Sequence, residues 1–284
     1  MTSTTRNRLL DRGFRVVGVL ATGAGLLLLA LFLLDIVHAG AGRLSGPFLR
    51  GLPSRFPERA GIYTALLGTT WIIVLTALLA VPVGIAAGVY LEEYGHKGRW
   101  AALLEVNITN LAGVPSVIYG LLGLEVFVRF LRLGSSVLAA GSTLALLILP
   151  ILIVTTREAL KAVPRTLREA SFALGATRWQ TIWHQVLPAA AGGIFTGLIL
   201  ALARAVGETA PLLVIGVLAY VPFAPASPLD EFSALPVQIF NWISRPQKAF
   251  GANAAAAIIV LLLITFSLNG AAIYLRYRWR QRLP

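Results

Sequence analysis

Arg204 and Glu208 stand four residues apart inside a stretch otherwise made of Leu, Ala, Val and Gly. On an unbroken helix that spacing puts both charges on one face, one turn apart. Each costs about 2.5–3.5 kcal/mol against lipid on insertion scales, so both are expected to face protein or a watered path. Arginine keeps its charge and offers a planar fork of donors suited to tetrahedral oxyanions, where lysine offers a point charge. Glu208 would partly neutralise Arg204 when no anion is present, and its carboxylate could accept a hydrogen bond from an oxyanion that carries a hydroxyl. The plainer alternative is an intrahelical ion pair that fastens the helix to a neighbour. Arg-before-Glu is the less favourable order for such a pair. Arg204, Glu208 and the adjoining Thr209 are the candidate substrate-pathway residues.

The elements that must position them are membrane helices. Of 284 residues, 57% are hydrophobic and 13% charged, which points to an all-α, polytopic membrane protein. Six segments can cross a ~30 Å hydrocarbon core: roughly 16–37, 63–90, 102–128, 136–156, 189–218 and 251–275. The net charge of +12 would suggest nucleic acid in a soluble chain, but the basic residues fall between the apolar segments, and topology accounts for them. With the N-terminus inside, fifteen Lys and Arg fall on the inner side and eight on the outer, so both termini are expected in the cytoplasm. Tyr90, Tyr94, Trp100, Tyr274, Tyr277 and Trp279 stand at expected water boundaries. The first segment follows four arginines and has no small-residue cleavage site directly behind it, the pattern of a retained signal anchor. With its external linker it forms a unit over 1–62, peripheral to a five-helix core over 63–284. Pro82, Pro115 and Pro150 each remove a backbone bond within a segment and predict static kinks. Gly84 with Gly88, and Gly193 with Gly197, predict close helix packing.

Cysteine is absent and His38, His96 and His184 are scattered, so thiol chemistry is excluded and no metal site is expected. An intramembrane enzyme acting on lipid phosphates would need a base or nucleophile that is not visible near Arg204. A purely structural scaffold would need neither the charged pair nor the loop at 157–188.

That loop breaks the greasy pattern. From Pro164 to Gly175 the chain reads as a short helix, with proline suited to its first turn and Gly175 to a left-handed stop. Leu167, Ala170, Ser171 and Leu174 form a stripe that could lie in a groove, with Arg165 and Arg168 pointing elsewhere. Thr177 and Gln180 have capping-box spacing, and Trp179, Ile182, Trp183, Val186 and Leu187 predict an amphipathic second helix ended by Pro188.

The loop resembles the cytoplasmic signature of permease subunits of bacterial ABC importers: E-A-A, then Gly, then I-x-L-P after nine residues. Glu169, Ala170, Gly175, Leu187 and Pro188 match at that spacing, Ser171 replaces the second Ala, and Gln185 stands in place of Ile. The resemblance implies coupling helices seated in a cleft of an ATPase subunit, with Glu169, Ala170, Ser171, Gly175, Leu187 and Pro188 as the coupling residues. The string A-R-A-V-G-E-T-A-P-L-L from Ala203 to Leu213, G-V-P-S-V-I-Y-G from Gly113 to Gly120, and R-E-A-L-K-A-V-P-R from Arg157 to Arg165 are similar to phosphate importer permeases of the PstA type.

That resemblance implies half of a phosphate path in a bacterial inner membrane, with Arg204 and Glu208 serving passage. The implied partners are a PstC-type second permease, two PstB-type ATPase subunits and an extracytoplasmic PstS-type binding protein, with membrane lipid around them and no nucleic acid. The chain has no G-x-x-x-x-G-K-[ST] loop to cradle nucleotide phosphates. No cofactor is therefore expected in this chain, and ATP and Mg are expected on the ATPase partner. Another oxyanion, molybdate or sulfate, is the alternative cargo.

Overall fold

A computed structural model describes residues 3–95 and 98–280. His96 and the side chains of Trp100 and Trp279 lie outside the described residues. The architecture is helical: α1 Ser3–Gly40, α2 Gly46–Arg50, α3 Tyr63–Val89, α4 Arg99–Ala112, α5 Ser116–Gly123, α6 Val137–Lys161, α7 Arg165–Ala173, α8 Arg178–Thr181, α9 Leu187–Gly207, α10 Ala210–Val214, α11 Leu235–Ile243 and α12 Phe250–Arg280. Among the described residues, five helical spans are long and apolar enough to cross a membrane, and α4 with the α5 segment makes a sixth if the bent pair counts as one.

Helix α6 is the axis. It is capped by Ser136, whose hydroxyl accepts from the Ala139 amide at 3.3 Å, and it packs between α3 and α9. The two glycine pairs make those seams. A Cβ on Gly84 or Gly88 would stand 2.7 Å from the Cβ of Leu152 or Thr156, both on α6. A Cβ on Gly193 would stand 2.7 Å from that of Ala159, and one on Gly197 would collide with Thr155. Such distances are below any real contact, so only glycine lets these backbones meet. Helix α12 packs on α9 and α11, and α1 packs on α12. Residues 41–62 fold back on the bundle: Phe48 is buried beside Trp242 and Phe250, and Arg43 donates to Asn253 Oδ1 and the Pro57 carbonyl, each at 2.7 Å.

Two of the expected spans are not simple rods. The segment read as 102–128 turns by 98° between α4 and α5, far beyond a kink. Pro115 has no amide hydrogen and bars Val114 from helical geometry, while Gly113 and Val114 close the end of α4 through bonds to Asn110 O (3.0 Å) and Leu111 O (3.2 Å). The Tyr119 hydroxyl donates to Leu111 O at 2.9 Å, across the elbow. The segment read as 189–218 stops at Gly207. Glu208 is extended (ψ 120°) and α10 restarts at Ala210. Gly207 is a poor helix former, and Pro211, four residues on, has no amide hydrogen to bond the Gly207 carbonyl.

Candidate functional site

Local chemistry shapes the 157–188 loop. Pro164 occupies the cap position of α7, one residue ahead of the first turn where it was expected. At the other end Gly175 has φ +81°, its amide donates to Phe172 O at 2.9 Å, and the Ala176 amide donates to Ser171 O at 3.2 Å. This is a Schellman stop, in which a glycine takes the left-handed position. The capping box at Thr177 is present, with the Thr177 amide donating to Gln180 Oε1 at 2.8 Å and the Gln180 amide to Thr177 Oγ1 at 3.3 Å.

Helix α8 does not end at Pro188. It runs through a π-helical turn, Ile182–Val186, into α9, and Pro188 sits in the first turn of α9. The widened turn directly ahead of Pro188 accommodates a residue that cannot donate and crowds the carbonyl four positions back.

The two expected stripes divide between inside and outside. Leu167 packs inward, and Ser171 is half-buried with its hydroxyl 2.9 Å from Thr181 Oγ1. Glu169, Ala170, Gly175 and Leu174 are exposed, Leu174 to 90%. On the second helix Ile182 and Val186 are buried with Leu160, Val163, Ala190 and Ile194, while Trp179 and Trp183 stack outward with centroids 5.5 Å apart. Leu187 is half-buried and Pro188 exposed. The inner sides of both helices are occupied by the chain's own α6 and α9 ends, so only part of each stripe remains for a partner.

Arg168, expected to point away, turns inward. Its Nη2 donates to Glu93 Oε1 at 2.6 Å and to Leu160 O at 2.9 Å, Nε to the same Glu93 oxygen at 3.2 Å, and Nη1 to Val163 O at 2.8 Å. The side chains of Arg168 and Glu93 are 18% and 10% exposed. Arg178 donates to the Glu93 carbonyl and lies over the Tyr94 ring, 4.9 Å from its centroid. Glu93 falls in a π-helical turn, Tyr90–Tyr94, that extends α3. Nearby, Arg157 is 3.5 Å from Glu92 and 3.2 Å from Glu105 on α4. Sequence reasoning missed Glu92 and Glu93. The available signal was a pair of acids directly after a greasy helix, facing a loop rich in arginine.

Arg204 lies in the last turn of α9, where a cation suits the carbonyl end of the helix. No break intervenes between Leu187 and Gly207, so Arg204 stands roughly 24 Å along the axis from Pro188. Its Nε donates to Glu208 Oε1 at 3.3 Å, and the two side chains are 44% and 16% exposed. The pair forms although Glu208 has left the helix. Thr209 is half-buried, and its hydroxyl is 3.5 Å from the Gly207 carbonyl. The break is braced from behind: a Cβ on Gly120 of α5 would lie 2.8 Å from Pro211 Cα. The strings 113–120 and 203–213, ninety residues apart in sequence, thus meet at one place. What results is a partly exposed arginine fork beside a carboxylate, at a gap between two helices, a donor geometry that matches oxyanions in general.

Comparison with known proteins decides the family. A family model described as "Binding-protein-dependent transport system inner membrane component" matches residues 80–281. The chain belongs to this family. As a member it is a transport permease subunit of the inner membrane, multi-pass and not an enzyme, of the kind that works with a binding protein. Among its relatives, the phosphate transport system permease protein PstA 1 of Mycobacterium tuberculosis is 38% identical over 243 residues, 83% of this chain and 76% of that protein. The phosphate transport system permease protein PstA of Haemophilus influenzae is 35% identical over 246 residues, 86% of each. A probable ABC transporter permease, YqgI of Bacillus subtilis, is 31% identical over 265 residues, 88% of this chain and 90% of the other. Among solved structures, an inward-facing MetNI methionine ABC transporter superposes with a TM-score of 0.59 at 18% identity, covering 77% of this chain and 97% of that one. The permease fold is therefore that of ABC importers.

Proposed function

We propose that this permease forms half of the membrane path of an ATP-driven phosphate importer. Its partners in that reading are a PstC-type second permease, two PstB-type ATPase subunits that carry ATP and Mg, and a PstS-type binding protein. The PstA names of its relatives support phosphate as cargo. The observation that carries the reading is the Arg204 guanidinium: bonded through Nε to Glu208 and 44% exposed, it presents a charge-matched fork at the gap between α9 and α10. A phosphate oxygen would displace the long bond to Glu208. Glu208 would then accept from a phosphate hydroxyl, and Thr209 would offer its own hydroxyl to the same anion.

In this reading Glu169, Ala170, Ser171, Gly175, Leu187 and Pro188 form or brace the surface that an ATPase subunit grips, with exposed Leu174 as its apolar tip. The 157–188 loop then lies in the cytoplasm with both termini, in agreement with the excess of Lys and Arg on that side. Residues 1–62 act as an accessory unit beside the core over 63–284.

The test is uptake of labelled phosphate into vesicles holding the complete complex, with ATP supplied on the ATPase side and binding protein on the other. Accumulation suppressed by excess unlabelled phosphate but not by sulfate or molybdate is expected. Suppression by molybdate or sulfate at equal concentration would assign a different oxyanion, and accumulation without the ATPase subunits would overturn ATP drive.

A further inference from the structure

Beyond the short backbone link 162–164 to α6, the docking helix α7 can pass force to the membrane helices through side chains. It turns Leu167, Arg168 and Ser171 toward the bundle. Ser171 reaches only the second half of the same loop, at Thr181, and Leu167 adds apolar packing with no preferred direction. Arg168 is different in kind. One guanidinium, itself on α7, ties two other elements: the Glu93 carboxylate at the end of α3, and the Leu160 and Val163 carbonyls where α6 ends. Those carbonyls lie at and just past the close of α6, where that of Leu160 also accepts from the Val163 amide at 3.2 Å, so Arg168 grips the turn that ends the helix. The second loop helix is fastened to the same place, since Arg178 donates to the carbonyl of Glu93. Residue 93 is therefore where both limbs of the loop meet α3.

We propose that Glu93 and Arg168 form the joint that converts movement of the docking helix into movement of α3 and α6; both are positioning residues for transport. The inference rests on the ATP-coupled reading above and adds to it a specific load path. Buried, short and multiply bonded, the pair cannot slide as an apolar contact can: a displaced Arg168 must drag its partners or leave a buried charge unmatched. The path continues inward without slack. Gly84 and Gly88 of α3 are in direct contact with α6, and Gly193 and Gly197 lock α6 to α9, the helix that carries Arg204.

The experiment measures anion transported per ATP hydrolysed, in vesicles holding the complete complex, for native protein, Glu93→Gln and Arg168→Lys. Glu93→Gln keeps the shape of the side chain and an acceptor but removes the charge. The expected result is normal co-purification of the ATPase subunits and continued hydrolysis, with the transport-to-hydrolysis ratio lowered about tenfold or more, the scale of one lost charged hydrogen bond. Arg168→Lys keeps the charge opposite Glu93 but cannot also reach both carbonyls in a plane, and should give an intermediate ratio. An unchanged ratio in both variants overturns the joint, as does a parallel loss of hydrolysis and ATPase association, which marks a residue that merely shapes the docking surface. Should Glu93→Gln yield no folded permease in the membrane, the ratio in Arg168→Lys decides alone. If the native complex moves no phosphate, the cargo assignment fails. If it does and the variants match it, only the joint fails.

Discussion

Arg168 and Arg204 each face a glutamate, in surroundings that differ in almost every physical respect. Arg168 is largely buried, bonded at 2.6 Å to a carboxylate and shared with two carbonyls. Arg204 is nearly half exposed, 3.3 Å from a carboxylate in a stretch of backbone that has left the helix. The first guanidinium has its donors committed and would lose them to no ligand without cost. The second is held loosely, beside a break, in a segment where a charge is costly against lipid and so faces protein or water. In the functions proposed above, the same residue type serves as a fastener at one end of α9's neighbourhood and as a receptor at the other, and accessibility with bond length separates the two.

The contrast can be broken most sharply at Arg204. Replacing it with alanine should lower anion uptake by about 100-fold or more, since two charge-assisted bonds to the anion at about 1.5–3 kcal/mol each would be lost. The ATPase subunits should remain bound in a pull-down. Retained uptake would make Arg204 a second fastener and erase the distinction.

A smaller but clear effect is expected at Gly175. Its φ of +81° is closed to proline, whose ring holds φ near −65°. Gly175→Pro should unseat the turn between α7 and α8 at a cost of about 1–3 kcal/mol, weakening ATPase association about tenfold in a binding titration while anion binding in the membrane stays intact. Loss of anion binding with intact ATPase association would reverse the assignment of the two regions.

The finest discrimination lies at Glu208. In Glu208→Gln the acceptor for a phosphate hydroxyl is weakened by about 0.5–1.5 kcal/mol, so the preference for phosphate over sulfate should shrink several-fold in competition uptake. An unchanged preference would leave Glu208 with charge balance alone.

How much of this is legible in the sequence depends on range. The Gly175 stop and the Thr177–Gln180 capping box are plain because each is settled within a few residues. So are the glycine pairs, although the sequence does not say that both grip the same helix from two sides. The end of α9 is signalled by Gly207 and Pro211, but the length of the apolar run overrides that signal and reads as one span. The elbow at Pro115 reads as a kink, because a lone proline fixes only that a helix is interrupted. Its angle is set by tertiary contacts, among them the Tyr119 bond back to Leu111. The Glu93–Arg168 pair joins residues 75 apart, and no local pattern specifies such a partner.

The glycine seams have a consequence for how this molecule can move. With Cβ-free backbones pressed against α6 on two sides, α3, α6 and α9 have no room to rotate past one another, and they behave as a single stiff block. Bending freedom is then concentrated where regular helix is interrupted: the elbow between α4 and α5, and the gap between α9 and α10 that carries Glu208 and Thr209. A cross-link that froze either interruption would stall the cycle, whereas one stitched between the block's own helices would leave turnover untouched.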